Sequence, residues 1–180
     1  RGGLFLAAVP ARKTPSVLER ARDVYPAMEA AENILQTSLQ NGTPVIRPAV
    51  TLLNAALIER TQGDFFFYEE GVTAAVGRLM EAIDQERIAI GHKLGVDIIS
   101  DPQLGCQQGY MQVADYESGY ATAPGFKGIK AQKTLDNRYF HEDVGYGLVF
   151  MKTLADQLGV EAPHMSALIR LASVVMQRDY

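Results

Sequence analysis

The sequence predicts an all-α domain, about seven helices around one core, entered by a single short strand. Three observations carry this. Apolar residues recur at the 3.6-residue period through most of the chain, and no segment after Val9 shows the alternation of a half-buried strand. Gly and Pro residues punctuate the periodic stretches where helices start and stop. At 180 residues, with 47% hydrophobic and 21% charged side chains, the chain is sized for one globular domain rather than two.

The strand is residues 4–9, an apolar run bounded by Gly2-Gly3 and Pro10. A lone strand has no sheet to join, so residues 1–10 are expected to be the remnant of an upstream sheet-bearing domain, and residues 11–180 the helical domain. Thr14 as N-cap and Pro15 in the first turn start a helix that Val17, Leu18, Ala21 and Val24 carry towards Pro26. A second periodic stretch covers 28–39 with a break near Asn33, and residues 41–44 are a turn. Residues 48–60 form a helix with a broad apolar face; the aromatic run 65–68 is too short to assign. The strongest helix spans 73–94, where Val76, Leu79, Met80, Ile83, Arg87, Ile90 and Leu94 keep the period and Gly95 suits a left-handed stop. Ser100 and Asp101 cap a helix placed at 102–115. Residues 117–133, rich in Gly, Tyr, Thr and Lys, make the longest loop, of a length that tends to be functional or disordered. Closing helices follow at 142–158, stopped by Gly159, and 163–178, opened by Pro163.

Composition narrows function by exclusion. A formal net charge of −4 gives no general attraction to nucleic acid or an anionic membrane. No apolar run approaches the ~20 residues of a membrane helix. The single Cys106 cannot form an internal disulfide or a multi-thiolate metal site; it suits a reducing, cytoplasmic setting and reads as a small, partly buried hydrophobe. No metal is expected, and neither nucleic acid nor a membrane is an expected partner. No Gly-x-Gly-x-x-Gly follows a strand, and the Walker loop, His-Glu-x-x-His, Cys-x-x-Cys and Gly-x-Ser-x-Gly patterns do not occur.

The densest chemistry lies at residues 134–148, Thr-Leu-Asp-Asn-Arg-Tyr-Phe-His-Glu-Asp-Val-Gly-Tyr-Gly-Leu. It sets Arg138, His141 and the carboxylates of Asp136, Glu142 and Asp143 at a loop-to-helix junction. Acidic groups suit a first helical turn, so one reading is capping with a surface ion pair. The same residues resemble a motif of the opine (octopine/nopaline) dehydrogenase family, Leu-Asp-x-Arg-Tyr-x-x-Glu-Asp-Val-x-Tyr-Gly-Leu, from its C-terminal all-helical domain. Other blocks resemble that domain in family order: residues 41–55 with Pro48-Ala49-Val50-Thr51-Leu52-Leu53-Asn54-Ala55, residues 67–73, and residues 158–163 through 171–173 to 178–180. Together they cover nearly the whole chain.

The resemblance implies a fold like the C-terminal domain of 6-phosphogluconate dehydrogenase, preceded in the same chain by a Rossmann domain that binds most of the NAD or NADP. It implies an oxidoreductase acting on CH–NH bonds, condensing an amino acid with an α-keto acid reductively; this half alone would be inactive. Asp143 matches a family carboxylate that partners a catalytic histidine. Arg138 matches an arginine near the substrate, whose fork suits a carboxylate. Tyr68 and Asn54, in other blocks, are further candidate substrate contacts. Where the family has a histidine before the Pro48 block, this chain has Arg47, which keeps its proton at neutral pH. It can hold a carboxylate or polarise a carbonyl. His141 stands where the family has a small polar residue, and is the candidate replacement imidazole; otherwise it is an exposed helix-start residue. Two other readings stay open: a non-catalytic or divergent dimerisation or binding module of the same fold, and a ketopantoate reductase-like dehydrogenase, whose lysine-bearing pattern has no match here. Broad apolar helix faces, and pairing through this domain in some members of the resembled family, predict a homodimer.

Overall fold

A computed structural model describes residues 2–180; Arg1, the first residue of the expected remnant, lies outside the described residues. The strand expected at 4–9 is β1 (Leu4–Leu6), and it has a partner. After a single 3-10 turn and helix α1 (Thr14–Arg22), strand β2 (Met28–Ala30) pairs parallel to it, with Leu4 opposite Met28 and Leu6 opposite Ala30. Parallel strands need a crossover, and α1 is that crossover. Residues 28–30 were expected to open a periodic helical stretch, and Met, Glu and Ala are good helix formers. Tertiary pairing overrides that weak preference, and the Ala31 amide extends it by donating to the Leu6 carbonyl at 2.9 Å. Thr14 is not an N-cap but the first residue of α1, and its hydroxyl accepts from the Ala8 amide.

From Asn33 onward the named elements are helices, joined by loops. Asn33 caps α2 (Ile34–Leu39) by accepting from the Leu35 and Gln36 amides, at the break the sequence marks. The single helix expected at 48–60 is two, α3 (Thr43–Leu53) and α4 (Ala55–Thr61). Asn54 makes the joint, its amide nitrogen donating to the carbonyls of Val50 and Gly71. The long helix α5 (Ala74–Leu94) ends at Gly95, φ 73°. A reciprocal Ser100/Gln103 capping box opens α6 (Asp101–Gln108), which stops at Gly109, short of the expected 115. The expected loop carries one short helix, α7 (Ser118–Ala121). The helix expected at 142–158 is composite: α8 (Arg138–His141), a π turn at Asp143–Leu148, then α9 (Val149–Leu158). Helix α10 (Pro163–Met176) closes the chain, opened by Pro163 as expected.

Helix α5 runs through the core against α2, α3, α9 and α10. Met80, Ile83 and Ile90 are wholly buried on it, each such side chain contributing about 1.5–3 kcal/mol. Arg87 occupies a position of the same apolar stripe and is also wholly buried. Its Nε donates to Asp84 Oδ1 at 2.6 Å, and its terminal nitrogens donate to the carbonyls of Leu39 (2.6 Å) and Ile99 (2.8 Å). The other Asp84 oxygen accepts from the Asp101 amide (2.9 Å) and the Tyr116 hydroxyl (2.6 Å). One buried ion pair thus ties α5 to the end of α2, the start of α6 and the loop beyond. Two residues along, Glu86 accepts from the His164 and Met165 amides and caps α10. No helix of the described residues is long and apolar enough to cross a membrane.

Candidate active site

The site forms where the start of α3 meets the π turn. Thr43 and Arg47 are one turn apart, so both side chains leave the same face of α3. Two glycines let neighbouring backbones come close. A Cβ on Gly42 would lie 1.8 Å from Asp101 Oδ1, and one on Gly147 would lie 2.4 Å from the Pro44 ring. The π turn is widened where the Tyr146 and Gly147 amides both donate to the Glu142 carbonyl, at 2.9 and 3.1 Å. Such local insertions recur at functional sites. Here the turn sets Asp143 opposite Arg47.

Arg47 Nη1 stands 3.8 Å from Asp143 Oδ2, too far for a hydrogen bond. Thr43 Oγ1, whose single proton has a closer acceptor in Asn41 Oδ1 at 2.9 Å, lies 3.4 Å from Asp143 Oδ1. The guanidinium lies over the face of Tyr139, 5.0 Å from the ring centroid. The Arg47 side chain is 25% exposed and that of Asp143 only 7%. Arg47 Nε and Asp143 Oδ2 are both buried without a hydrogen-bond partner. Native structures leave few such groups unpaired, and each has an energetic cost. Burial pushes the Asp143 carboxyl above the ordinary carboxylate range, against the pull of Arg47, Arg138 and the Thr43 hydroxyl. Burial would lower the Arg47 pKa, but the Tyr68 hydroxyl and Asp143 outweigh it, so the cation is firmly held. Tyr68 itself is pushed up to about 12, chiefly by burial, and stays a neutral hydroxyl.

Of the residues singled out in the sequence, Arg47, Asp143 and Tyr68 come together. Arg138 does not join them by contact: it pairs with Glu142 at 2.9 Å, largely exposed, and reaches Asp143 only through its field. The imidazole expected to face Asp143 turns elsewhere. His141 Nε2 lies 2.5 Å from Asp136 Oδ1, and Nδ1 lies 3.1 Å from the Tyr180 hydroxyl and 3.2 Å from Arg178 Nη1. Helix α8 is one turn long and the wider turn starts at Asp143, so the two side chains leave the backbone in different directions. His141 fastens the C-terminal residues instead. Asn54 is likewise committed to backbone carbonyls at the α3–α4 joint, not to a cavity.

The sequence reading missed the inner wall of the site. Arg47 and Tyr68 border a cavity of about 200 Å³ between α3, the start of α6 and the expected loop. Its lining adds Thr43, Asp101, Tyr110, Tyr120 and Phe126. The only sequence signal was the unusual length and tyrosine content of that loop. A larger, open depression of about 550 Å³ lies at the α9–α10 turn. Lys152 and Asp156 there neutralise each other, and no orphaned buried group faces it.

The class that fold and site define is an all-helical domain, entered through a βαβ unit, with a half-buried arginine that lines a cavity and faces a buried aspartate. Comparison with known proteins names the lineage. A family profile described as NAD/NADP octopine/nopaline dehydrogenase, alpha-helical domain, matches residues 30–176. The opine dehydrogenase of Arthrobacter sp. (strain 1C) is 35% identical over 180 residues, all of this chain and 50% of that protein. Protein ocs of Agrobacterium tumefaciens (strain Ach5) is 30% identical over 150 residues, 82% of this chain and 41% of its own. A solved structure of octopine dehydrogenase with NADH and agmatine superposes with a TM-score of 0.72 at 19% identity, covering 90% of this chain and 45% of that one. The chain belongs to the octopine/nopaline dehydrogenase family and corresponds to its α-helical domain. It spans about half the length of the curated relatives it matches.

The family description implies a nicotinamide cofactor, and the residues present do not make a cradle for one. Residues 7–13, which join β1 to α1, contain no glycine, and α1 opens with Pro15 in its first turn, a residue with no N–H to offer a pyrophosphate.

Proposed function

We propose that this chain is the substrate-binding and acid–base half of an NAD(P)-dependent opine dehydrogenase-like enzyme, one that joins an amino acid to an α-keto acid by reductive condensation. The observation that carries this reading is the Arg47–Asp143 pair, each partner with one orphaned buried atom, Arg47 also lining a cavity. A substrate carboxylate has two acceptor oxygens for the guanidinium fork and would give Arg47 Nε its missing partner. Asp143 Oδ2 lacks a donor, which a substrate amine or a protonated imine supplies. With its pKa raised by burial, Asp143 retains a proton further towards neutrality than an ordinary carboxyl and delivers it to the oxygen that leaves as water. Arg47 moves no proton; Tyr68 and the face of Tyr139 hold it in place. Arg138, at the rim, adds positive field for incoming carboxylates.

Residues outside this chain would hold the NAD or NADP. Strands β1 and β2 support that reading, because a two-stranded parallel sheet is not expected to stand uncovered, and Leu4, Val17 and Val24 around it are exposed. On this view the boundary to a Rossmann domain falls after β2, near residue 30, rather than at Pro10, and the helical half alone is inactive. The enzyme is expected in a reducing cytoplasm, with Cys106 free. It is also expected as a homodimer: Leu171, Val174 and Val175 form an exposed apolar stripe on α10. A monomeric mass by light scattering at micromolar concentration would contradict the pairing.

The full-length protein, assayed spectrophotometrically for nicotinamide oxidation with pyruvate or 2-oxoglutarate against a panel of amino acids, tests the reaction. Turnover is expected, with Asp143→Asn lowering kcat about 10²-fold or more and Arg47→Ala acting mainly on KM. Arg47 in the place of a family imidazole favours one other reading, a non-catalytic binding module. Silence across the panel, with cofactor binding confirmed, would establish that reading instead.

A further inference from the structure

Residues 117–133 stand out in the sequence as a loop of functional length, and the proposed chemistry does not use them. In the structure they build an aromatic wall. Phe126 stacks on Tyr68 with centroids 4.1 Å apart and planes at 15°, and lies parallel to Tyr120 at 5.9 Å; Tyr110 meets its edge at 5.2 Å. With Ile46 from α3, these rings enclose the cavity of about 200 Å³ that Arg47 also lines. The wall is fastened to a fixed frame. The Phe67 amide donates to the Ile129 carbonyl at 2.8 Å, the Gly128 amide to Glu69 Oε2 at 2.7 Å, and the Gly125 amide to the Tyr110 carbonyl at 3.1 Å.

Two polar groups of the lining are paired with each other. The Tyr120 hydroxyl donates to Asp101, the one carboxyl in the lining, and Tyr68 and Arg47 line the same cavity. A cationic group entering the cavity would meet the like charge of Arg47 and no free counter-ion. An anionic group would compete for the same arginine. An uncharged hydrocarbon group brings no charge to desolvate and gains about 25 cal/mol per Å² buried.

We propose that this cavity is the side-chain pocket for an α-carboxylate substrate anchored at Arg47, and that it selects uncharged aliphatic or aromatic side chains. The inference rests on the proposed role of Arg47 as carboxylate anchor. Either the amino acid or the keto acid could place its side chain there, and the test separates them.

The full-length protein, saturated with NADH or NADPH, is titrated calorimetrically with L-leucine, L-phenylalanine, L-arginine and L-aspartate, then with 2-oxo-4-methylpentanoate and 2-oxoglutarate. Apolar members of one series should bind at least about tenfold more tightly than charged ones, and the series showing this identifies the occupant. Ile46→Phe, which fills the cavity, should weaken L-phenylalanine or 2-oxo-4-methylpentanoate about tenfold and spare L-alanine or pyruvate. Phe126→Ala, which opens it, should narrow the preference; Ile46→Phe keeps the test decisive if that variant misfolds. Equal affinity for charged and apolar probes, equal loss for large and small probes in Ile46→Phe, or no binding at all overturns the proposal. Apolar-selective binding without turnover would sink the reaction while the pocket assignment stands. Turnover without apolar preference does the reverse.

Discussion

Asp143 keeps 7% of its side chain exposed beside a cation that does not hydrogen-bond it, and burial raises its folded-state pKa above the ordinary 3.8. Between 3.8 and that raised value the folded protein binds more protons than the unfolded chain. This contribution to stability is therefore full below the ordinary carboxylate pKa and is lost as pH rises through the window. Asp143→Asn keeps the shape and removes the charge. The variant is expected to be at least as stable as the parent near pH ~7, and to gain stability relative to it as pH climbs from about 4, while turnover collapses. Thermal melts of both proteins across that range check this; a constant difference in Tm would show that the buried charge sets no pH dependence. At this scale the grouping of Arg47, Asp143 and Tyr68 was legible from the blocks that resemble the family. Side-chain direction was not: His141 is two residues from Asp143, yet a change of helical pitch between them sends it to Asp136 and Tyr180.

Among the elements, the π turn decides whether the pair forms. Gly147 packs so closely on Pro44 that a methyl group would overlap a rigid ring. Gly147→Ala should displace the turn from α3, at an overpacking cost of about 1–3 kcal/mol. A displacement on the order of 1 Å at Asp143 should lower kcat by about 10²-fold with the fold intact. Steady-state kinetics alongside circular dichroism measure both; undiminished kcat would mean that the turn does not position Asp143. The turn itself could not be read from sequence, since its residues fit an ordinary helix as well. Helices α5 and α10 could, because their apolar period and their Gly95 and Pro163 boundaries are local signals. Strand β2 and the joint at Asn54 could not, because each depends on a partner distant in the chain, β1 in one case and Gly71 in the other.

In the whole molecule, the Asp84–Arg87 pair links four elements from inside the core. Arg87 was visible as a position on an apolar stripe, but the sequence carried no sign of the two carbonyls and the carboxylate that satisfy it. Arg87→Ala would leave Asp84 buried and unpaired and free the carbonyls of Leu39 and Ile99. The expected loss is about 3–5 kcal/mol, measured as a fall in the urea midpoint. A loss under about 1 kcal/mol, the scale of an exposed pair, would show that packing alone joins these elements. Because Asp84 also holds the Asp101 amide and Tyr116, the same variant should loosen the cavity floor and weaken substrate binding before it unfolds the protein.

The clasp that ties residues 64–70 to 128–131 divides two kinds of inheritance. Main-chain atoms make much of the frame, whereas ring identity at Tyr110 and Phe126 shapes the space inside it. Exchanging one ring for another leaves those main-chain hydrogen bonds in place, so a lineage built on this scaffold can change what it accepts in a few substitutions without relearning how to fold.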